Sequence, residues 1–343
     1  MRRFLKVLGV LLGLLVLLAV VLVLILEFAF PRVQEADQSI KVEATPQRLA
    51  RGDYLANHVA GCMGCHSQRD WHTFGHPVIP GTEGQGGDTI FGAKIGLPGE
   101  IYPKNITPFN LKQYSDGELV RVLRTGVRKN GEPLFPLMPY QALAEMEQED
   151  LYSIIVYVRS LPERAHVVPD HQLQLPVNLI VRTIPTNAPA YPTPVDRKDG
   201  VAYGKYLVRI GGCADCHTPV NDKHEPLPGM YLAGGMEYPY LDNQLQRHKG
   251  GGVLRTPNIT PDAETGIGGW SKAVFLARFA LWRGAGLEAQ HVKLDLDKGD
   301  YLSLMPYGEI AGMTDEDLGA IYDYLHSIAP VKHAVIRFER PKL

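Results

Sequence analysis

The chain has 343 residues, with 35 basic against 37 acidic side chains and a net charge of −2 when histidine is neutral. That length accommodates two or three domains, and so even a balance argues for neither nucleic acid nor a strongly acidic partner. The 26 prolines and 35 glycines fall mostly between the motifs below, which points to compact domains with long loops rather than a disordered chain.

Arg2, Arg3 and Lys6 precede an uncharged apolar run from Val7 to Leu26. At ~1.5 Å per residue that run makes a helix of about 30 Å, the thickness of a bilayer's hydrocarbon core. A cleaved signal has a shorter apolar region of ~7–15 residues and a small-x-small cleavage site. Here the run ends instead in Leu26-Glu27-Phe28-Ala29-Phe30-Pro31. Residues 1–30 therefore read as a retained transmembrane helix. Its basic flank stays in the cytoplasm, so everything after about Glu27 is exported.

The next stretch, residues 45–163, reads as one domain. It opens with Arg51-Gly52-Asp53-Tyr54-Leu55 and reaches Cys62-Met63-Gly64-Cys65-His66. Cys-x-x-Cys-His is the attachment pattern of c-type haem: two thiols reach the two vinyl groups of one porphyrin, and the adjoining histidine lies under the iron. Asn105-Ile106-Thr107-Pro108 follows. Ser115 and Glu118 then form a capping box that opens a helix through Leu123, ended by Gly126. After Leu137-Met138-Pro139-Tyr140, a terminal helix opens at Glu149-Asp150-Leu151 and buries Leu151, Ile154, Ile155 and Val158 on one face.

Residues 164–196 carry Pro169, Pro176, Pro185, Pro189, Pro192 and Pro194, too many for a long helix, and read as an extended linker. Residues 197–335 then repeat the first domain. Tyr203-Gly204-Lys205-Tyr206-Leu207 leads into Cys213-Ala214-Asp215-Cys216-His217, and Asn258-Ile259-Thr260-Pro261 and Leu304-Met305-Pro306-Tyr307 recur in order. Ser271 opens the partner of the middle helix, through Leu281 and ended near Gly284. Glu316-Asp317-Leu318 opens a terminal helix with Leu318, Ile321, Tyr322 and Leu325 on its stripe. The stretch from Gly284 to Met305 is longer than its counterpart, Gly126 to Met138. No sustained alternation argues for strands.

The two motifs use all four cysteines, so the expected cofactors are two covalently bound haem c groups. A four-cysteine zinc site or a thioredoxin-like pair is the alternative. Zinc pairs usually sit ~12–20 residues apart, and neither alternative needs a histidine directly after both pairs. The proximal ligands are then His66 and His217. A haem with histidine alone binds oxygen or peroxide on its open face, whereas a methionine on that face closes it and suits it to carrying electrons. Met138 and Met305 sit before proline in matching loops, where the backbone cannot be helical and the thioether is free to project into a pocket. They are the expected sixth ligands. Met146 and Met313 precede the terminal helices as hydrophobic staples against Leu151 and Leu318. His72 and His76 have no matching pair in the second half, and His291 lies in the second-half insertion; each is able to replace a methionine as ligand, but surface or loop roles are expected. Arg124 and Arg283 close the middle helices, and either reach haem propionates or end solvated.

With Arg51-Gly52-x-Tyr54-Leu55, the two haem motifs, both Asn-Ile-Thr-Pro loops, Thr265-Gly266-Ile267-Gly268-x-Trp270 and both Met-Pro-Tyr loops, the chain resembles a known family. It is similar to the class I c-type cytochrome subunits of bacterial membrane-bound alcohol, gluconate and aldehyde dehydrogenases, over roughly residues 45–165 and 197–332. Their best-known members carry three haems and lack an N-terminal span like this one, and here Pro108-Phe109-Asn110 stands where the family often has an acidic residue. The N-terminal transmembrane helix, set in the bacterial inner membrane, is read from the apolar run alone. The resemblance implies two tandem class I cytochrome c domains in the periplasm, which agrees with the mainly α reading. It implies a non-catalytic relay that takes electrons from a dehydrogenase catalytic subunit and passes them to quinone, another cytochrome or an oxidase. Two alternatives stand beside it. A dihaem peroxidase-like oxidoreductase needs one open haem, against which the duplicated Leu-Met-Pro-Tyr argues. The dihaem subunit of a terminal oxidase shares the anchor and both haems.

Overall fold

The computed structural model describes residues 2–88, 91–221, 223–283 and 292–343; His291 and Gly284 lie outside them. In chain order the helices are α1 (Arg2–Phe28), α2 (Pro46–Tyr54), α3 (Cys62–His66), α4 (Pro108–Leu111), α5 (Asp116–Thr125), α6 (Tyr140–Leu143) and α7 (Gln148–Ser160). They continue with α8 (Val177–Ile180), α9 (Gly200–Ile210), α10 (Cys213–His217), α11 (Lys272–Ala280), α12 (Tyr307–Ala311) and α13 (Asp315–Ser327). The mainly helical expectation is met. The residues group into two compact units, one of Met1–Lys41, Tyr114–Ala144 and Leu173–Ala190, the other of Val42–Gln113, Glu145–Gln172 and Tyr191–Leu343.

In the first unit α1 is a continuous helix with no buried residue, long and apolar enough to cross a membrane. The capping box of α5 is complete: Ser115 Oγ accepts from Glu118 N–H at 3.2 Å, and Glu118 Oε2 accepts from Ser115 N–H at 2.8 Å. Gly126 ends α5 at φ 72°, where a Cβ would lie 2.5 Å from the Tyr140 ring, so only glycine fits. The proline-rich stretch is not extended throughout. It holds the short helix α8 and a 3₁₀ turn, Val181–Thr183, which pack against α1.

In the second unit two helix pairs, α2 with α7 and α9 with α13, form the core. The glycines of the recurring Gly-x-Tyr-Leu explain how close the pairs come. A Cβ on Gly52 would meet the Ser153 carbonyl oxygen at 1.9 Å, and one on Gly204 would meet that of Ala320 at 1.9 Å. Around these contacts Leu55, Leu151, Ile155, Leu207 and Leu318 are fully buried.

The same helices exchange hydrogen bonds reciprocally. Tyr54, at the end of α2, donates to Asp317 Oδ2 at 2.7 Å and accepts from Thr314 N–H at 3.1 Å. Tyr206, its counterpart on α9, donates to Asp150 Oδ2 at 2.8 Å and accepts from Glu147 N–H at 3.2 Å. Each repeat thus seats its tyrosine on the first turn of the other repeat's terminal helix, the self-complementary pattern of a two-fold interface within one chain. Burial raises the pKa of both phenols. A small sheet completes the unit: Glu237–Pro239, Val253–Arg255 and Phe338–Glu339 pair antiparallel, with Glu237 opposite Arg255 and Val253 opposite Glu339. Strands of two or three residues are too short to print an alternation in sequence.

Candidate haem attachment sites

Each Cys-x-x-Cys-His forms a single helical turn entered through a left-handed glycine, Gly61 at φ 60° and Gly212 at φ 65°. A side chain there would be strained. On that turn the cysteines stand at i and i+3, on one side of the helix. Cys62 and Cys213 are half-buried, Cys65 and Cys216 are exposed, and none is in a disulfide. Burial pushes the Cys62 and Cys213 thiols up to about 12.

The histidine closing each turn is held by one carbonyl. His66 Nδ1 lies 2.6 Å from Lys104 O, and His217 Nδ1 lies 2.8 Å from Pro257 O. A carbonyl only accepts, so Nδ1 carries the proton and Nε2 is left as a lone-pair donor, the tautomer a metal-ligating imidazole needs. Burial lowers both imidazole pKa values, which favours the same neutral form.

Lys104 and Pro257 each precede Asn-Ile-Thr-Pro, and the asparagine fixes their position. Asn105 Oδ1 accepts from Thr107 N–H at 2.9 Å and from Thr107 Oγ1 at 2.7 Å, while its Nδ2 donates to the carbonyls of Arg164 and His166, each at 2.9 Å. Asn258 repeats this with Thr260 at 2.9 and 2.8 Å and with Val331 O at 2.8 Å and His333 O at 3.4 Å. The carbonyls of His66 and His217 accept from Gly86 N–H and Gly234 N–H, both at 2.7 Å. A Cβ on either glycine would lie 2.4 Å from the backbone beside the histidine's carbonyl partner, in a left-handed conformation as well. In the sequence Asn-Ile-Thr-Pro stands out only as a recurrence, with nothing to mark this role, and neither glycine stands out. Their signal was the doubled pairs Gly86-Gly87 and Gly234-Gly235.

After these motifs the halves differ where the acidic residue is replaced. Pro108–Leu111 is helical, and Asn110 Nδ2 donates to Asn105 O at 2.7 Å. In the second half Asp262 Oδ1 holds a turn instead, accepting from Thr265 N–H and Oγ1, each at 2.7 Å.

Met138 and Met305 are half-buried, each on a tight turn through the following proline. Tyr140 N–H bonds Met138 O at 2.8 Å across Pro139 (φ −80°, ψ 48°), and Tyr307 N–H bonds Met305 O at 2.9 Å across Pro306 (φ −78°, ψ 68°). Both are inverse γ-turns, after which α6 and α12 begin at the tyrosine. Met146 and Met313 are buried, as are Leu151 and Leu318. Thr314 caps α13 by accepting from Asp317 N–H at 3.2 Å. Glu147 holds that position on α7 without capping, and its carboxylate accepts from Val195 N–H at 2.8 Å.

His72 bonds Asn243 O at 2.8 Å. His76 is fully buried, its Nδ1 accepting from Arg69 at 2.7 Å, and burial beside that guanidinium lowers its pKa to about 3. Each ring thus has one nitrogen on a protein partner, while the buried Nε2 of His76 has no hydrogen-bond partner; burial of His76 corrects the expected surface or loop role. The arginines closing the middle helices donate to backbone carbonyls. Arg124 donates to Ala144 O at 3.0 Å, and Arg283 donates to Ala311 O at 2.5 Å and Met313 O at 2.7 Å. Each ties its helix to the chain just after the Met-Pro loop.

Among the described residues no group of three or more His, Cys, Asp and Glu side chains is placed to hold a bare metal ion, which the zinc alternative requires. The residues do fit a covalently held porphyrin at each motif: two thiols on one face of a turn, and a neutral imidazole whose far nitrogen is fixed by a built carbonyl cradle.

No protein-family model matches the chain. It is 29% identical over 82% of its length to the fructose dehydrogenase cytochrome subunit of Gluconobacter japonicus, covering 52% of that protein. It is 27% identical over 84% of its length to the cytochrome c subunit of a quinone alcohol dehydrogenase from Gluconacetobacter polyoxogenes, covering 58% of it. A diheme cytochrome c-type protein of Cereibacter sphaeroides is 26% identical over 59% of the chain, with 64% of that protein covered. The chain spans about half the length of the first two of these relatives. Over most of its residues, then, this chain is similar to cytochrome subunits of sugar and alcohol dehydrogenases and, over a shorter stretch, to a diheme cytochrome c.

Proposed function

We propose that the chain is a membrane-anchored dihaem cytochrome c that relays electrons from a dehydrogenase catalytic subunit to quinone, another cytochrome or an oxidase. Its haem domains, residues 45–163 and 197–335, stand in the periplasm on the Arg2–Phe28 anchor. One observation carries this reading: both Cys-x-x-Cys-His histidines have Nδ1 on the carbonyl that precedes Asn-Ile-Thr-Pro. Building that cradle twice serves two irons. The dehydrogenase partner comes from the names of the relatives.

In this reading Cys62 and Cys65 hold one porphyrin and Cys213 and Cys216 the other. His66 with Met138, and His217 with Met305, are the axial pairs. Bound haem supplies the one-electron chemistry. The chain supplies the rest: neutral imidazoles of fixed tautomer, soft thioethers that favour the reduced iron, and a hydrogen-bonded seam between repeats.

Haem staining and intact mass test the stoichiometry, with two additions expected; a single addition overturns the two-haem reading. Met138→Ala and Met305→Ala are each expected to open one iron, so that its reduced form binds carbon monoxide and its potential falls. Stoichiometric binding of carbon monoxide by the unaltered reduced protein would favour a peroxidase-like oxidoreductase with one open iron. Co-purification in mild detergent identifies the donor, and recovery of a copper-haem oxidase in place of a dehydrogenase would favour the terminal-oxidase reading.

A further inference from the structure

The anchor helix does not end alone. The last carbonyls of any helix have no partner within it, and at a bilayer edge each unpaired one is costly. Arg182 meets that need for α1: its Nε donates to Leu26 O at 3.1 Å and its Nη2 to Glu27 O at 2.8 Å, with the Glu27 carboxylate 3.8 Å from Nη1. A cation at a helix C-terminus also complements the helix dipole. Asn187 Oδ1 accepts from Gln34 N–H at 2.7 Å and makes a second tie between the same two stretches of chain.

The segment so fastened is apolar on its outside. Leu175 is 75% exposed and Ile180 50%, while Val181 is turned inward and buried. On α1 itself Phe28 is 82% exposed. α8 and the following turn pack against α1, and the Arg182 bonds set them at its C-terminal end, beside Leu24 to Phe28. Read as a span, α1, which buries no residue in the protein, is covered by lipid.

We propose that Leu175–Arg182 is an interfacial foot. Leu175 and Ile180 enter the acyl boundary beside Phe28, and the Arg182 guanidinium lies at headgroup level with its stem along the apolar surface. The partner is the bilayer itself, and the inference rests on reading α1 as a span.

The test uses the full haem-loaded chain in phosphatidylcholine vesicles that contain a lipid with a diazirine high on its acyl chain, with adducts mapped by mass spectrometry after illumination. Adducts are expected on peptides from α1 and on the peptide carrying residues 173–182. In Leu175→Asp/Ile180→Asp, checked by unchanged haem spectra, the second set is expected to vanish while the first persists. Adducts on α1 with none on 173–182 in the unaltered chain would overturn the foot and leave the span intact. Absence of adducts on α1 would overturn the span, and the foot with it.

Discussion

Around His66 and around His217 the chain makes the same bonds: a carbonyl on Nδ1, an asparagine bracing that carbonyl's loop, and a glycine N–H on the histidine's own carbonyl. Between the repeats the matching is only partial. Both place a tyrosine on the other's terminal helix, yet Asp150 also receives both nitrogens of the Arg51 fork at 2.8 Å, where Asp317 has Tyr203 at 3.4 Å. Arg69 pairs with Glu309, and that pair has no mirror image, because Val220 and Ala142 occupy the corresponding positions. The cradle has one geometry because the iron's chemistry allows little variation. The seam carries no such constraint, and charge there has been placed on one side.

That one-sided pair offers the largest way to break the comparison. Arg69 and Glu309 are nearly buried, with side chains 8% and 12% exposed, and they join the chain just after α3 to α12, the helix that follows Met305-Pro306. Arg69→Met leaves a buried carboxylate unpaired and is expected to cost about 3–5 kcal/mol in denaturant unfolding. Replacing both residues by apolar ones should cost less than either single change. Arg209→Met breaks the half-exposed pair with Glu145 and is expected to cost at most about 1 kcal/mol. Similar losses from Arg69→Met and Arg209→Met would show that the seam is energetically symmetric after all.

The reciprocal tyrosines sharpen the same point at a smaller scale. A hydrogen bond to a charged group is worth about 1.5–3 kcal/mol. Tyr54→Phe is expected near the top of that range, since Asp317 keeps only the long bond from Tyr203. Tyr206→Phe is expected near the bottom, since Asp150 keeps Arg51. The pH dependence follows from the raised phenols. Below the ordinary tyrosine value of about 10 both states are protonated and the contribution is complete. As pH rises beyond it the unfolded chain ionises and the folded one resists, so stability is lost on the alkaline side. Tm should fall above about pH 10, and less steeply in Tyr54→Phe/Tyr206→Phe; parallel curves would sink the assignment.

The parts legible in sequence were those whose signal is local. The helices announced themselves through Ser115 with Glu118, through Gly126, and through the stripes of Leu151 and Leu318, because caps and periodicity are written within a few residues. The repeat was legible because whole tetrapeptides recur. What stayed hidden was pairing at long range. Nothing near Tyr54 names Asp317, and nothing near Lys104 says that its carbonyl orients His66. Nothing near Arg124 or Arg283 names the later carbonyls to which each donates, which only the fold brings near. The proline-rich stretch was read as extended because prolines forbid a long helix. They do not forbid the four residues of α8.

The smallest expected effect separates the two middle helices. Ser115 on α5 belongs to a complete box, so its loss removes one bond directly and loosens the return bond from Glu118. Ser271 on α11 accepts from Val274 N–H at 3.3 Å, and Val274 has no polar atom with which to reciprocate. Cap substitutions by alanine usually cost about 0.5–2 kcal/mol. Ser115→Ala is therefore expected to cost about 1 kcal/mol and Ser271→Ala about 0.5 kcal/mol, both within that span. Amide hydrogen exchange reads each change where it acts. Glu118 N–H should lose protection in the first variant and Val274 N–H in the second, with the core amides of α7 and α13 unchanged. If both substitutions cost the same, the return bond from Glu118 contributes nothing, and the two helices differ in sequence but not in how they begin.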